Sequence, residues 1–263
     1  MNIEDLTPED RAELLRAIEL LEQPGLAIRI ANRIGKPVEG LIKFLPQNSS
    51  ALVQEAVRRA LDKALDVAVN SLGPSRGALE GFHKALAGAS GGIGGVFGLP
   101  ALVVELPVST TIMMRSIAEI ARDEGENMES AEARLACLEV FALGGSSSRD
   151  DSAEAAYFTV RAALAQAIRE AAEHIATRGA AGKGAPIMVR LLTQIASRFG
   201  IVISEKTALQ AAPIIGAAGG AAINVVFMDH FQNMARGHFI VRRMERKYGE
   251  ANVRACYLQL SGA

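Results

Sequence analysis

Two stretches of this chain carry no charged side chain: Ala85 to Val104, twenty residues, and Thr207 to Met228, twenty-two. Each is long enough to cross a bilayer, so any fold must bury both or hand them to lipid. Their content decides between these. The first holds six Gly, four Ala, a Pro and a Ser beside eight strongly apolar residues; the second holds seven Ala, three Gly, Thr, Gln, Pro and Asn beside eight. Gly and Ala drive insertion weakly compared with Leu, Ile, Val and Phe, so burial inside a helical bundle is the expectation and a membrane-inserted hairpin an alternative. Gly88 with Gly92, Gly91 with Gly95, Gly94 with Gly98 and Gly216 with Gly220 are each four apart. That spacing lets helix backbones approach closely in lipid and in tight bundles alike.

The remaining composition points the same way. The 263 residues include 45 Ala and 25 Gly, 5% aromatics and no Trp, which suits closely packed helices and argues against sandwiches and barrels. Lys and Arg number 28 against 29 Asp and Glu, a balance that excludes a general nucleic-acid binder. Cys137 and Cys256 alone supply neither a disulfide scaffold nor a four-thiolate zinc site. There is no HExxH and no pair of histidines at i, i+4, so neither a metal nor a cofactor is expected. Met1 to Asp10 is acidic and lacks the basic start and apolar core of a secretory signal, which implies a cytoplasmic location.

Helix punctuation is frequent. Thr7 before Pro8, with Asp10 three residues on, predicts an N-cap and a helix to Glu22. Further helices are predicted over 26–35, 38–45 and 51–72, the last with Val53, Val57, Ala60, Leu61, Ala64, Leu65 and Ala68 at helical spacing. Gly73-Pro74 is the clearest break, dividing an N-terminal helical subdomain, 1–72, from a helical core, 73–263, packed together as one domain. Ser130 is placed as the cap of a helix to Leu143, and Asp151 with Glu154 as a capping box for a helix to Thr177. Pro186 restarts a helix expected to stop at Gly200, after which Ile201-Val202-Ile203 has the composition of a brief strand. The fold class is therefore all-α: a single domain of about ten helices with two central Gly/Ala-rich apolar helices.

Chemistry is sought where polar groups interrupt apolar faces. On a helix through Leu99 to Arg122, Glu105 and Ser109 share a side with Ser116 and Glu119, and Pro107 frees a carbonyl beside the Glu105 carboxylate. A carboxylate in that setting must be paired, protonated or wet. Tyr157, Arg161, Leu164, Ile168, Ala171 and Ile175 fall on one face, which puts Arg161 on an apolar stripe and makes it the expected partner of Glu105. From Asn224 onward, Asp229, Asn233 and Arg236 lie opposite Phe227, Phe231, Met234, His238 and Val241, so His238 faces the apolar side. Arg242, Arg243 and Lys247, with Arg236 and Arg246, form a basic end suited either to an anionic membrane face or to the helix's own dipole. Gly88-Ala89-Ser90-Gly91-Gly92 matches the GxSxG elbow by letter, but the elbow needs a strand-to-helix turn that the surrounding pattern does not supply.

The run Ala133-Arg134-Leu135-Ala136-Cys137-Leu138-Glu139-Val140-Phe141-Ala142-Leu143-Gly144-Gly145 and the stretch Tyr157 to Arg161 are similar to the bacterial EcsC family. So are Ser197-Arg198-Phe199-Gly200 followed by Pro213-Ile214-Ile215-Gly216-Ala217, and the ending from Asn224 to Gly249 with His238-Phe239 and Arg242 to Gly249. The resemblance covers about 51–249. It implies a bacterial helical protein whose family is named for a gene accompanying an ABC transporter, and it brings no catalytic residues with it. The expected function is non-enzymatic: a cytoplasmic protein peripheral on the inner-membrane surface or on a membrane transporter, holding a lipid-like ligand between small-residue helices. A serine- or peptidase-type hydrolase is the other alternative. Glu105, Ser109, Tyr157, Arg161, Asn224, Asp229 and His238 are the candidate ligand-binding or buried polar residues, and Arg242, Arg243 and Lys247 the candidate membrane contacts.

Overall fold

Thr7 stands in extended backbone ahead of Pro8 and accepts the Asp10 N–H at 3.1 Å, so the first helix opens on the cap that its residues imply. The structure, a computed structural model, describes residues 3–22, 49–72, 98–145, 153–178, 184–211 and 216–261. About 90% of these residues are helical and none lies in a strand. After a 3-10 turn at Ile3–Asp5 come α1 (Pro8–Leu21), α2 (Ser49–Asn70), α3 (Gly98–Asp123) and α4 (Ala131–Leu143). Helices α5 (Ala153–Arg178), α6 (Pro186–Ala211), α7 (Gly216–Tyr248) and α8 (Glu250–Ser261) complete the described fold. These eight compare with an expectation of about ten; the helices predicted over 26–35 and 38–45 lie outside the described residues. So do Gly73-Pro74, the Ser90 elbow, Asp151 and the first thirteen residues of the Ala85 to Val104 stretch.

Helix α4 is the most completely enclosed described element. Every residue from Leu135 to Leu143 is buried, and α2, α3, α5, α6 and α7 pack around it. A helix apolar on all sides can be stable only in such a position. The apolar stripe expected on α2, from Val53 to Ala68, is buried and lies along α3. The two run in the same direction, since Arg122 near the end of α3 donates to the Leu72 carbonyl just beyond α2 at 3.1 Å. Helices α3 and α7 are also parallel: Gln232 donates to Ser116 at 2.9 Å in mid-helix, and Arg243 pairs with Glu124 near their ends. Helix α1 crosses α7 at Gly237, where a Cβ would stand 2.6 Å from the Leu21 side chain and 3.0 Å from the Ala17 carbonyl.

Three local expectations are corrected. Helix α6 does not stop at Gly200 but continues to Ala211, and Ile201-Val202-Ile203 is helical. A glycine costs a helix roughly 1 kcal/mol relative to Ala. Here Phe199, Val202 and Ile203 are buried around it, with Phe199 packed on Phe141 and Phe231, and burial of each is worth roughly 1.5–3 kcal/mol. Ser130 holds the N-cap position of α4, but its side chain makes no capping hydrogen bond. Gly249, with φ 87°, ends α7, and the chain turns into a further helix, α8, absent from the sequence expectation.

Candidate functional site

Two buried polar loci emerge. The first is at the end of the bundle where α3 and α7 begin. Pro107 sits inside α3, and Glu105, two residues before it, accepts a hydrogen bond from Lys206 Nζ at 2.9 Å. The Lys206 side chain is fully buried and lies over the Phe227 ring, 4.6 Å from its centroid, while Glu105 remains 18% exposed. Burial lowers the Lys206 pKa, and the adjacent Glu105 carboxylate opposes that shift. The expected Glu105–Arg161 pair is thus wrong in its cation. Gly200 predicts a helix end that hides Lys206; because α6 continues through it, Lys206 follows Phe199 by seven residues and turns inward with it. Ser109 is not part of the pair, because its hydroxyl donates to the Leu106 carbonyl of its own helix at 3.1 Å.

Arg161 instead makes a two-pronged contact with Glu245 of α7, at 2.6 and 2.9 Å, and belongs to the second locus. There Tyr157, one turn earlier on α5, places its hydroxyl 3.1 Å from Nδ1 of His238, which is fully buried on the apolar face of α7 as its spacing implies. Tyr257 of α8 stacks on Tyr157 at 5.8 Å, and the Arg161 guanidinium lies 5.4 Å from the Tyr157 ring centroid. On the other side of the imidazole, Nε2 is 3.6 Å from Glu139 of α4, beyond hydrogen-bond length. Burial raises the Glu139 carboxyl to about 7, with Arg161 and Arg242 opposing, and burial also holds His238 well below its ordinary 6.5, helped by the same two arginines. The proton of this pair therefore rests on the carboxyl. A neutral imidazole has one donor and one acceptor nitrogen; Nδ1 of His238 is paired with the Tyr157 hydroxyl, while its buried Nε2 makes no hydrogen bond with any described residue.

Glu139 was not singled out from sequence, although the signal was present: it is the sole charge between Leu135 and Leu143. Glu245 was also legible, lying seven residues after His238 and hence on its face. Asn224 is exposed and Asp229 half-buried on α7, and neither joins the two loci. The basic end of α7 is folded onto its own chain. Arg242 grips Glu126 at 2.8 and 3.2 Å, Arg243 pairs with Glu124 and Glu13, Arg246 with Glu126, and Lys247 with Asp10. Among the described residues no cluster of His, Cys, Asp or Glu is arranged to hold a metal ion. A hydrolase reading needs Ser90 beside His83 or His238 and an acid; Ser90 and His83 lie outside the described residues, and His238 is bonded to Tyr157.

The family model for the EcsC protein family matches residues 25–244. Neither the curated proteins nor the solved structures contain a match to this chain.

Proposed function

The chain belongs to the EcsC protein family, and from that premise we propose that it is a non-enzymatic protein that docks on a lipid bilayer at the cytoplasmic surface of the inner membrane. One observation carries the proposal. Val104 and Val108 of α3 and Val225 of α7 are exposed, at 62, 42 and 57%, at the end where these parallel helices begin. Leu52 of α2 is exposed at that end too, because 52 lies as far from the Leu72 contact as 102 does from Arg122, about 30 Å at 1.5 Å per residue. The two charge-free stretches meet the described bundle here: the first runs into the start of α3, and the second spans the end of α6 and the start of α7. Exposed aliphatic side chains at one end of the bundle suit an apolar phase, and the Glu105–Lys206 pair lies at the same end.

Basic residues at the far end of α7 contribute little, because each is neutralised by a carboxylate of its own chain. Docking is accordingly apolar rather than electrostatic. His238, Glu139 and Tyr157 are enclosed among α4, α5 and α7 and serve the fold, which supports a non-enzymatic reading. A transporter in the same membrane is the protein partner implied by the family resemblance.

Co-sedimentation with liposomes tests the reading. Binding is expected to neutral phosphatidylcholine vesicles, to persist in high salt, to be reversed by carbonate, and to be lost in Val104→Asp/Val108→Asp/Val225→Asp. Loss of binding in high salt alone, or retention by the triple variant, overturns it. Release only by detergent would establish the inserted hairpin instead.

A further inference from the structure

Residues 1–22 carry seven acids against two arginines, whereas the rest of the chain carries 26 basic residues against 22 acids. The acidic segment is folded onto the basic end of α7. Asp10 of α1 accepts hydrogen bonds from Lys247 Nζ and from the Tyr248 hydroxyl, each at 2.6 Å, and Glu13 pairs with Arg243 at 3.3 Å. Further along α1, Ala17 and Leu21 close on Gly237, where a Cβ on α7 would stand 3.0 Å from the Ala17 carbonyl oxygen. Leu14 and Ala17 are fully buried and Ile18 nearly so. Acids near one end, a buried apolar stripe and a small residue at the crossing define what this surface of α7 accepts. The Gly237 notch admits the backbone of a helix, and the cations beyond it require that helix to be acidic.

Helix α1 is attached as an occupant of this surface. It packs chiefly on α7 and α8, and the central α4 is enclosed without it. The family match begins at residue 25, after α1 ends, yet includes Gly237 and Arg243. The surface thus belongs to the matched core and its cover does not. Lys247 and Arg243 remain 54 and 38% exposed, and ion pairs so open to solvent hold weakly. Arg243 would also keep Glu124, at 2.6 Å, if α1 left. At 1.5 Å per residue, Lys247 lies about 33 Å along α7 from Val225. With the valines on a bilayer the basic end therefore faces the aqueous side; that direction rests on the docking reading, whereas the surface itself does not. We propose that α1 is a displaceable strap over a helix-docking surface on α7, formed by Gly237, Arg243, Lys247 and Tyr248, whose partner is a protein presenting an acidic amphipathic helix. The incoming helix repeats the contacts of α1, so the exchange trades like for like. Tethered in cis, α1 competes at an effective concentration on the order of millimolar, and only a helix that binds more tightly or is held close by gains entry.

Fluorescence anisotropy on the full chain, with a labelled peptide of residues 1–22 as the acidic helix, tests the surface. In the chain itself, Asp10→Lys/Glu13→Lys sets like charges against Lys247 and Arg243 and should release α1, seen as faster amide exchange over residues 8–21 ahead of the other helices. This released variant should bind the peptide about tenfold or more tightly than the parent, whose own α1 competes. A peptide carrying the same two substitutions should bind it about tenfold or more weakly than the parent peptide, and Gly237→Val added to the variant should close the notch to either. Unchanged exchange over α1, no binding of the peptide, equal binding to parent and variant, or binding indifferent to the acids or to Gly237→Val overturns the proposal. So does a gain in binding of the variant to phosphatidylglycerol vesicles that the peptide reverses, which would make the surface a lipid site. The Val104→Asp/Val108→Asp/Val225→Asp variant should bind the peptide as the parent does, so a failure of bilayer docking and a failure of this surface give different results.

Discussion

Replacing Glu139 by Gln asks whether the buried carboxyl holds a proton or serves as an anion. Burial raises Glu139 from its ordinary 4.5 to about 7, against the pull of Arg161 and Arg242. The folded chain keeps that proton between pH 4.5 and about 7, where the unfolded chain has released it, so its stabilisation is lost as pH rises through this window. At about 1.4 kcal/mol per pH unit the shift corresponds to about 3 kcal/mol. His238 has the opposite sign: held neutral well below 6.5, it costs stability as pH falls, because the unfolded chain takes up a proton that the folded chain refuses. Just below 6.5 the two effects offset each other, the unfolded chain carrying its proton on His238 and the folded chain on Glu139. Glu139→Gln removes one side of this balance. Urea unfolding followed by far-ultraviolet circular dichroism should find the variant about 3 kcal/mol more stable than the parent near pH 8. Below pH 6.5 it should lose stability with acidification, at up to about 1.4 kcal/mol per pH unit. An unchanged pH profile, or a variant less stable than the parent near pH 8, would show Glu139 to be an ion-pair partner and refute the reasoning.

Glu105→Ala leaves Lys206 buried without its carboxylate and should cost about 3–5 kcal/mol in urea unfolding, Glu105→Gln less, whereas Lys206→Met should be near neutral or stabilising. Gly200→Pro should cost about 3 kcal/mol or more and reduce helical ellipticity, because α6 runs through this position; unchanged stability would restore a helix end there. Gly237→Val should push α1 away from α7 at the Leu21 and Ala17 contact, costing about 1–3 kcal/mol and speeding amide exchange in α1 ahead of the rest.

Periodicity made the helical class legible, and it also placed side chains on faces. Arg161 on an apolar stripe and His238 on the buried side of α7 follow from 3.6 residues per turn, and both are where that spacing puts them. The run from Ala133 to Gly145 and the ending to Gly249 carried the family resemblance in the same local way. Partners were not legible, because a charge in a core is satisfied by whichever opposite charge the packing brings near. Glu105 meets Lys206 across 101 residues and Arg161 meets Glu245 across 84, separations at which spacing along the chain says nothing about distance. The basic end of α7 has the same lesson: its composition fits an anionic surface, but Glu126, Glu124, Glu13 and Asp10 reach it only after α1 and the end of α3 have packed against it. Gly200 shows the limit within a single helix. Local propensity weighs against continuation by roughly 1 kcal/mol, and the burial of Phe199, Val202 and Ile203 that reverses the balance exists only once α4 and α7 are in place.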